Sequence, residues 1–166
     1  PNVCMKPFRE NSDMTGPYQG SGNNDEWGQA YAENLNTIMS GDLSVIDARY
    51  DRAAIGAYPN HQTAIGKPDI TAFWAGLRAS FPSAQFTIHH QIGRDDTMMP
   101  PRAAIRWSLS GKHEGAGRFG TPSGADIYVM GISHAEFGPW GLRREYTLLD
   151  DVAIWKQIHL HTGDLS

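Results

Sequence analysis

Two hydrophobic periods divide this chain, and the place where one gives way to the other restricts the folds open to it. In three segments between Asp25 and Pro82 the apolar residues recur every three or four positions. Beyond it they recur every two, through four consecutive segments with no helical stretch between them. In "QFTIHHQI" the alternation puts Phe86, Ile88, His90 and Ile92 on one face. In "AAIRWSLSGKH" it groups Ile105, Trp107, Leu109 and His113, with Arg106, Ser108, Ser110 and Lys112 opposite. "DIYVMGISHAEF" groups Tyr128, Met130, Ile132, His134 and Glu136, and "LRREYTLLD" groups Arg144, Tyr146, Leu148 and Asp150. Strands that follow one another without crossover helices pair as an antiparallel meander.

The first half supplies the helices. Trp27, Tyr31, Leu35 and Ile38 form one stripe, with Asn24 or Asp25 placed to cap the helix and Gly41 to end it. "DLSVIDARY" predicts a short second helix with Asp42 as its cap and Leu43, Ile46 and Tyr50 inward. "KPDITAFWAGLRASFP" is the clearest helix: Pro68 and Asp69 suit its first turn, Ile70, Phe73, Trp74, Leu77 and Phe81 form its buried stripe, and Pro82 stops it. Between the second and third helices, "AAIGAYPNHQTAIG" is broken by Gly56, Pro59 and Gly66, so it reads as loop with room for short strands. "DVAIWKQI" fits either a last helical turn or a continuing strand. The order predicts an α+β fold: three helices packed on a curved antiparallel sheet, a cone that encloses a pocket.

The 166 residues suit one domain, taken as 25–166, preceded by a Pro-, Gly-, Asn- and Ser-rich stretch over 1–24 that reads as a flexible arm. A net charge of −4 without a basic stripe argues against nucleic acid. No apolar run approaches the ~18 residues of a membrane span, and "PNVCMKPFRENSDM" lacks the apolar core of a signal peptide, so a cytoplasmic protein is the expectation. The single Cys4 cannot form an internal disulfide. His89 and His90 are adjacent and point to opposite strand faces, while His159 and His161 lack a third ligand at suitable spacing. With no His-Glu-x-x-His and no cysteine pair, no metal is expected.

"GKHEGAGRFGTPSG", residues 111–124, contains the spacing G-x-G-x-x-G at Gly115, Gly117 and Gly120. A dinucleotide fingerprint needs a helix immediately after the glycines, whose N-terminus holds pyrophosphate. Here Pro122 and Gly124 forbid that helix and a strand follows. The glycines therefore read as a long connection between two strands, at turn positions that need positive φ, and no nucleotide or other cofactor is expected.

"RWSLSGKHEGAGRFGTPSGADIYVMGISHAEF" followed by "LRREYTLLDDVAIWKQI" resembles the SnoaL-like polyketide cyclase family, within the nuclear-transport-factor-two-like superfamily of α+β cones. The residues that carry the likeness are Arg106-Trp107, Gly111-Lys112-His113-Glu114-Gly115, Pro122-Ser123-Gly124 and Asp150, over roughly 25–160. "GDLSVIDARY" and "LRASFPSAQFTI" resemble the family's second helix and its helix-to-strand junction. The chain departs from the family in its arm, in the polar "AAIGAYPNHQTAIG", in the lengthened turn "EFGPWGLRR", and in Tyr146 where Trp is common.

The resemblance implies cofactor-independent acid–base chemistry on a hydrophobic, oxygenated small molecule. A pocket carboxylate would take and return a proton, cyclisation or isomerisation coming first and hydrolysis or dehydration second. It implies Asp150 as that carboxylate, unless Asp150 caps the segment after it, with Glu145 as the substitute if the register shifts. His134 is the second catalytic candidate, or else a structural histidine at a strand end. His113 could reach a ligand carbonyl or tie down the glycine connection. Trp107, Tyr128, Met130 and Phe73 read as pocket wall or core, and Tyr58 and His61 as a lid or substrate contacts. Arg106 points away from Trp107, toward an interface or an ion pair. The competing reading is a non-catalytic binding or scaffold protein of the same fold. Asp150 and His134 together in a closed apolar pocket would favour catalysis; a capping Asp150 and a solvent-facing His134 would favour binding. A curved sheet with one uncovered face also predicts a homodimer through the sheet.

Overall fold

The computed structural model describes residues 20–163. Helix α1 spans Glu26–Met39, α2 Ser44–Arg49, α3 Lys67–Ser80 and α4 Asp151–Thr162. Strands β1 (Tyr50–Tyr58), β2 (Gln62–Ile65), β3 (Gln85–Arg94), β4 (Arg102–Lys112), β5 (Asp126–Gly138) and β6 (Gly141–Leu149) form one sheet in the order β2-β1-β6-β5-β4-β3. The expected meander is present as β3 to β6, all antiparallel. Of the arm, residues up to 19 lie outside the described residues. Gly22 bridges Gln91, and Asn23 exchanges side-chain hydrogen bonds with the backbone of Gly93, so residues 20–24 run along the β3 edge. Among the described residues, no helix is long and apolar enough to cross a membrane.

Helix starts follow their local chemistry. The Asp25 side chain accepts from the Trp27 amide at 2.9 Å and caps α1. Asp42 accepts from the Ser44 amide and hydroxyl at the head of α2. The open alternative at "DVAIWKQI" resolves as helix, not strand: Asp150 caps α4 by accepting from the Ala153 amide at 2.9 Å. Its Ile154 and Ile158 enter the core. Beyond the last β5–β6 pair, Gly131 with Leu149, the backbone of Tyr128 has no β6 partner. The Gln157 amide of α4 takes that place, accepting from Tyr128 N and donating to Tyr128 O.

The segment read as loop with room for short strands holds two strands, the first of them nine residues long. β1 pairs antiparallel with β2 and parallel with β6, Ile55 opposite Arg144 and Ala57 opposite Tyr146. Pro59 falls in the connection, where its missing N–H costs no ladder bond, and Asn60 and His61 supply the positive φ angles of the turn. In β3 the expected grouping of Phe86, Ile88, His90 and Ile92 fails after Ile88. A bulge between Ile88 and His90 sets His90 opposite Arg106 and Ile92 opposite Ala104, on the outer face. His89, the extra residue, bonds the Ser108 hydroxyl at 2.7 Å.

The concave face of the sheet carries Tyr50, Ala54 and Tyr58 of β1, Ile105, Trp107 and Leu109 of β4, Ile127, Val129 and Ala135 of β5, and Glu145, Thr147 and Leu149 of β6, all buried. The stripes of α1 and α3 close over it, and the interior is occupied by packed side chains. Trp107 lies where a Cβ on Gly131 would stand, 2.2 Å from its Cζ2, so the large indole fits only because the neighbouring strand carries glycine.

The glycine-rich connection crosses the C-terminal end of α3. Gly115 N donates to Ser80 O at 3.3 Å and Arg118 N to Gly76 O at 3.1 Å, so carbonyls at the end of the helix gain partners. A Cβ on Gly115 would stand 1.8 Å from Ala79 O, and one on Gly117 2.5 Å from Gly76 O. Of the three motif glycines only Gly120 has positive φ, at 81°. The first two are needed for close approach, not for turn geometry. Gly115→Ala should therefore lower stability by about 3 kcal/mol, the upper range for overpacking, in urea unfolding; a loss under about 0.5 kcal/mol would show that the connection yields freely.

Candidate functional site

β6 alternates across the sheet, so Glu145 shares the concave face with Thr147 and Leu149, while Arg144, Tyr146 and Leu148 face outward. Glu145 is fully buried. Its Oε1 accepts from the hydroxyls of Tyr31 in α1 and Tyr50 at the start of β1, each at 2.8 Å. Its Oε2 accepts from the Tyr58 hydroxyl at the end of β1, at 2.6 Å, and from the Trp74 indole N–H in α3, at 3.0 Å. All four donors are neutral. Next to them, the Trp107 indole donates to the Ser133 hydroxyl at 3.0 Å, and that hydroxyl meets Thr147 Oγ1 at 2.8 Å. Tyr58 stacks face to face on Phe73, centroids 3.6 Å apart, with Trp74 edge-on to both.

Burial raises the Glu145 carboxyl above the usual range; the hydrogen bonds from Tyr58, Tyr31, Trp74 and Tyr50 pull it down but do not cancel the loss of water. Burial and the adjacent Glu145 charge raise the three phenols well above 10. They therefore stay protonated and remain donors across the neutral range. The arrangement is a carboxyl poised to hold or release a proton, surrounded by groups that can stabilise negative charge on oxygen.

Over Phe73 lies Arg118 of the glycine-rich connection, its guanidinium 5.3 Å from the ring centroid. Arg118 also bonds Asp151 Oδ2 at 3.0 Å and Gln62 Oε1 at 2.9 Å, and Asn60 bonds the same Asp151 oxygen. The β1–β2 turn, the glycine-rich connection and the head of α4 thus converge above the Phe73–Tyr58 stack.

Of the residues singled out in the sequence, the structure brings Tyr58 and Phe73 to Glu145, with Trp107 beside Trp74 at 6.4 Å. It does not bring Asp150 and His134 together. Asp150 is an exposed helix cap. His134 is on the outer face, paired across the strands with Tyr146 and 5.8 Å from its ring. Tyr128 and Met130, read as pocket wall or core, are exposed on the same outer face, because "DIYVMGISHAEF" turns Ile127, Val129 and Gly131 inward instead. His61 is exposed at the turn. His113 is fully buried, with Nδ1 3.0 Å from the Ser123 hydroxyl, its N–H on Ala125 O and its carbonyl on Gly124 N, so it ties down the connection. Sequence reasoning missed Tyr31, Tyr50 and Trp74 as site residues and held Glu145 only in reserve. The available signal was a carboxylate two residues from Thr147 and four from Leu149, on the face of β6 that must be buried.

The SnoaL-like domain family matches residues 29–141, more than half of the chain, and the chain belongs to that family. The match stops just short of Glu145. Among solved structures, a candidate SnoaL-like polyketide cyclase from Jannaschia sp. CCS1 superposes with a TM-score of 0.66 at 15% identity, over 82% of this chain and 96% of that one. IdmH from Streptomyces antibioticus, described as a candidate polyketide cyclase, gives 0.63 at 16% identity, over 81% and 99%. A further candidate SnoaL-like polyketide cyclase, from Shewanella denitrificans OS-217, gives 0.62 at 20% identity, over 82% and 99%. At these identities the likeness is one of fold. No curated protein matches the sequence.

Two measurements check this geometry. Asp150→Ala should cost about 1 kcal/mol, as loss of a helix cap does, without changing spectra that report the interior. For Glu145, a raised folded value means that the folded state binds the proton more tightly than the unfolded state. Stability is then fully present below the ordinary carboxyl range and lost as pH rises through it toward the raised value. The difference in unfolding free energy between wild type and Glu145→Gln should fall as pH rises above about 4.3 and level off beyond the folded value. A difference independent of pH would refute the raised carboxyl.

Proposed function

We propose that this chain is a cofactor-independent SnoaL-like enzyme of the cyclase or isomerase type, acting on a hydrophobic, oxygenated small molecule, with Glu145 as the proton-transfer group. The observation that carries the reading is a carboxyl raised by burial and held by three phenols and an indole inside the cone. The carboxylate removes a proton from carbon next to a substrate carbonyl; the C–H electron pair becomes the C=C bond of an enolate as the C=O π pair moves onto oxygen. Protonation of Glu145 takes up one of its lone pairs, and the phenol O–H so released donates to the enolate oxygen. In a cyclisation the enolate carbon bonds to a second carbonyl carbon of the same molecule, and Glu145 returns its proton to the new alkoxide. Asp150, the carboxylate implied by the family resemblance, is replaced in this role because it caps α4 from the exposed side.

The enolisation step is measurable without the physiological substrate. In deuterium oxide the protein should accelerate exchange at the α-carbon of some member of a panel of hydrophobic aryl ketones. Glu145→Gln should reduce that acceleration about 100-fold or more, as loss of a general base does, while Asp150→Asn leaves it unchanged. Full exchange in Glu145→Gln would eliminate the assignment. A binding or scaffold role is the second reading, supported by the complete hydrogen bonding of Glu145 and by the capping Asp150 and outward His134, the arrangement expected to favour binding. Ligand binding without exchange in any variant would favour it.

We also infer that the outer sheet face pairs two copies of the chain. Ile132 and Leu148 there are 54% and 70% exposed, and Ile55, Ile65, Ile92, Tyr128, Met130 and Tyr146 extend the apolar surface across the sheet. Six strands spaced by ~4.8 Å present roughly 600–700 Å², close to the ~800 Å² per partner of a standard interface. Light scattering should give a dimer for wild type and a monomer for the double variant Ile132→Glu, Leu148→Glu. A monomeric wild type would remove the inference.

A further inference from the structure

A carboxylate offers about four lone-pair positions, and at Glu145 all four are taken. A molecule that meets this carboxyl must displace one donor. Tyr31 and Trp74 are in the middle of α1 and α3 and have no exposure. Tyr50 begins β1 beside a close backbone crossing, where a Cβ on Gly141 would stand 2.4 Å from Arg49 O. Tyr58 is placed differently. It ends β1, directly before the turn of Pro59, Asn60 and His61, where the chain leaves the sheet; with Leu148 of the outer face this end of the strand lines a cleft of about 550 Å³.

The ring of Tyr58 also lies back across its own strand. A Cβ on Gly56 would stand 2.6 Å from Tyr58 Cε2 and 2.7 Å from Cζ and Oη. Those atoms are the far end of a rotatable side chain, not backbone, and φ at Gly56 is not positive. The absent side chain at 56 is therefore what admits the ring to its present place. Phe73 forms the other wall, parallel within 3°. Arg118 holds Phe73 from behind, fixed by Asp151 and Gln62. The result is a flat slot with one rigid aromatic wall, one wall of bare backbone and a carboxylate oxygen at its inner end.

We propose that Tyr58 is the displaceable occupant of a binding slot, and that the ligand which replaces it is a planar ring bearing a hydroxyl. Such a ring stacks on Phe73 and donates its hydroxyl to Glu145 Oε2, as Tyr58 does. The slot deepens the reading of Glu145 as the working carboxyl by naming the Tyr58 exchange and the ligand shape, and it rests on that reading for its use in catalysis.

Binding of 2-naphthol and of 2-methoxynaphthalene, by titration calorimetry on the full chain, tests this. Tyr58→Phe removes the hydroxyl that competes for Oε2, and Gly56→Ala expels the ring. Both variants should bind 2-naphthol about tenfold or more tightly than wild type does, while 2-methoxynaphthalene, which cannot donate, shows no such gain. Unchanged 2-naphthol affinity in Tyr58→Phe, or an equal gain for the methoxy compound, would overturn the proposal, and this holds even if Gly56→Ala does not fold. In a folded Gly56→Ala protein, one more tyrosine should ionise near the ordinary value of about 10, read by tyrosinate absorbance. A folded variant without it would show that the ring stays in the slot. The catalytic reading fails separately: 2-naphthol binding with no ketone exchange ends that reading alone, and exchange without the binding gain ends this one alone.

Discussion

The interior of this protein is organised around one buried carboxyl with no cationic partner. Removing a carboxylate from water costs several kcal/mol even after relaxation. Hydrogen bonds to a charged group return about 1.5–3 kcal/mol each. Glu145 receives four, from α1, from both ends of β1 and from α3. The carboxyl therefore helps to fix how the two long helices sit on the sheet, since misplacing either removes one of the two donors to an oxygen in the core. The same arrangement leaves the carboxyl raised, because neutral donors stabilise it less than a cation would.

Close packing around that carboxyl depends on missing side chains. Gly131 admits the Trp107 indole, Gly56 admits the Tyr58 ring, and Gly115 and Gly117 let the long connection lie on the end of α3. The connection then delivers Arg118 onto Phe73 and Asp151. A segment whose spacing imitates a phosphate-binding loop is a strap over the end of α3, and its first two motif glycines serve contact with the helix.

The sheet has two faces with opposite tasks. Its concave face is sealed by the helices, while its outer face carries a broad apolar surface with His134, Tyr146 and Arg106 among it. The alternation of β5 was legible, but which of its two sets pointed inward was not. Tyr128, Met130 and Ile132 are as apolar as Ile127, Val129 and Gly131, so the pattern is nearly symmetric, and only the helices' side of the sheet breaks it. The same ambiguity put His134 into the expected site. For β3, the bulge at His89 inverted the second half of the strand, and a one-residue insertion leaves no mark in an alternating sequence.

The first three helices, a cap at Asn24 or Asp25, the α3 stripe and the antiparallel meander were legible in the sequence alone, because each is marked by residues close together in the chain. So was the lack of a helix directly after the glycines, since Pro122 and Gly124 act locally. Tertiary structure decided what depends on distant pairing. It made β1 a strand by laying it parallel to β6, some 90 residues away in number. It turned Asp150 from a candidate base into a cap. It also gathered Tyr31, Tyr50, Tyr58 and Trp74 on Glu145, hydrogen bonds that span from 71 to 114 residues. Nothing local in any of those five residues marks the others, because the feature they share is a point in space that exists only once the helices have closed over the sheet.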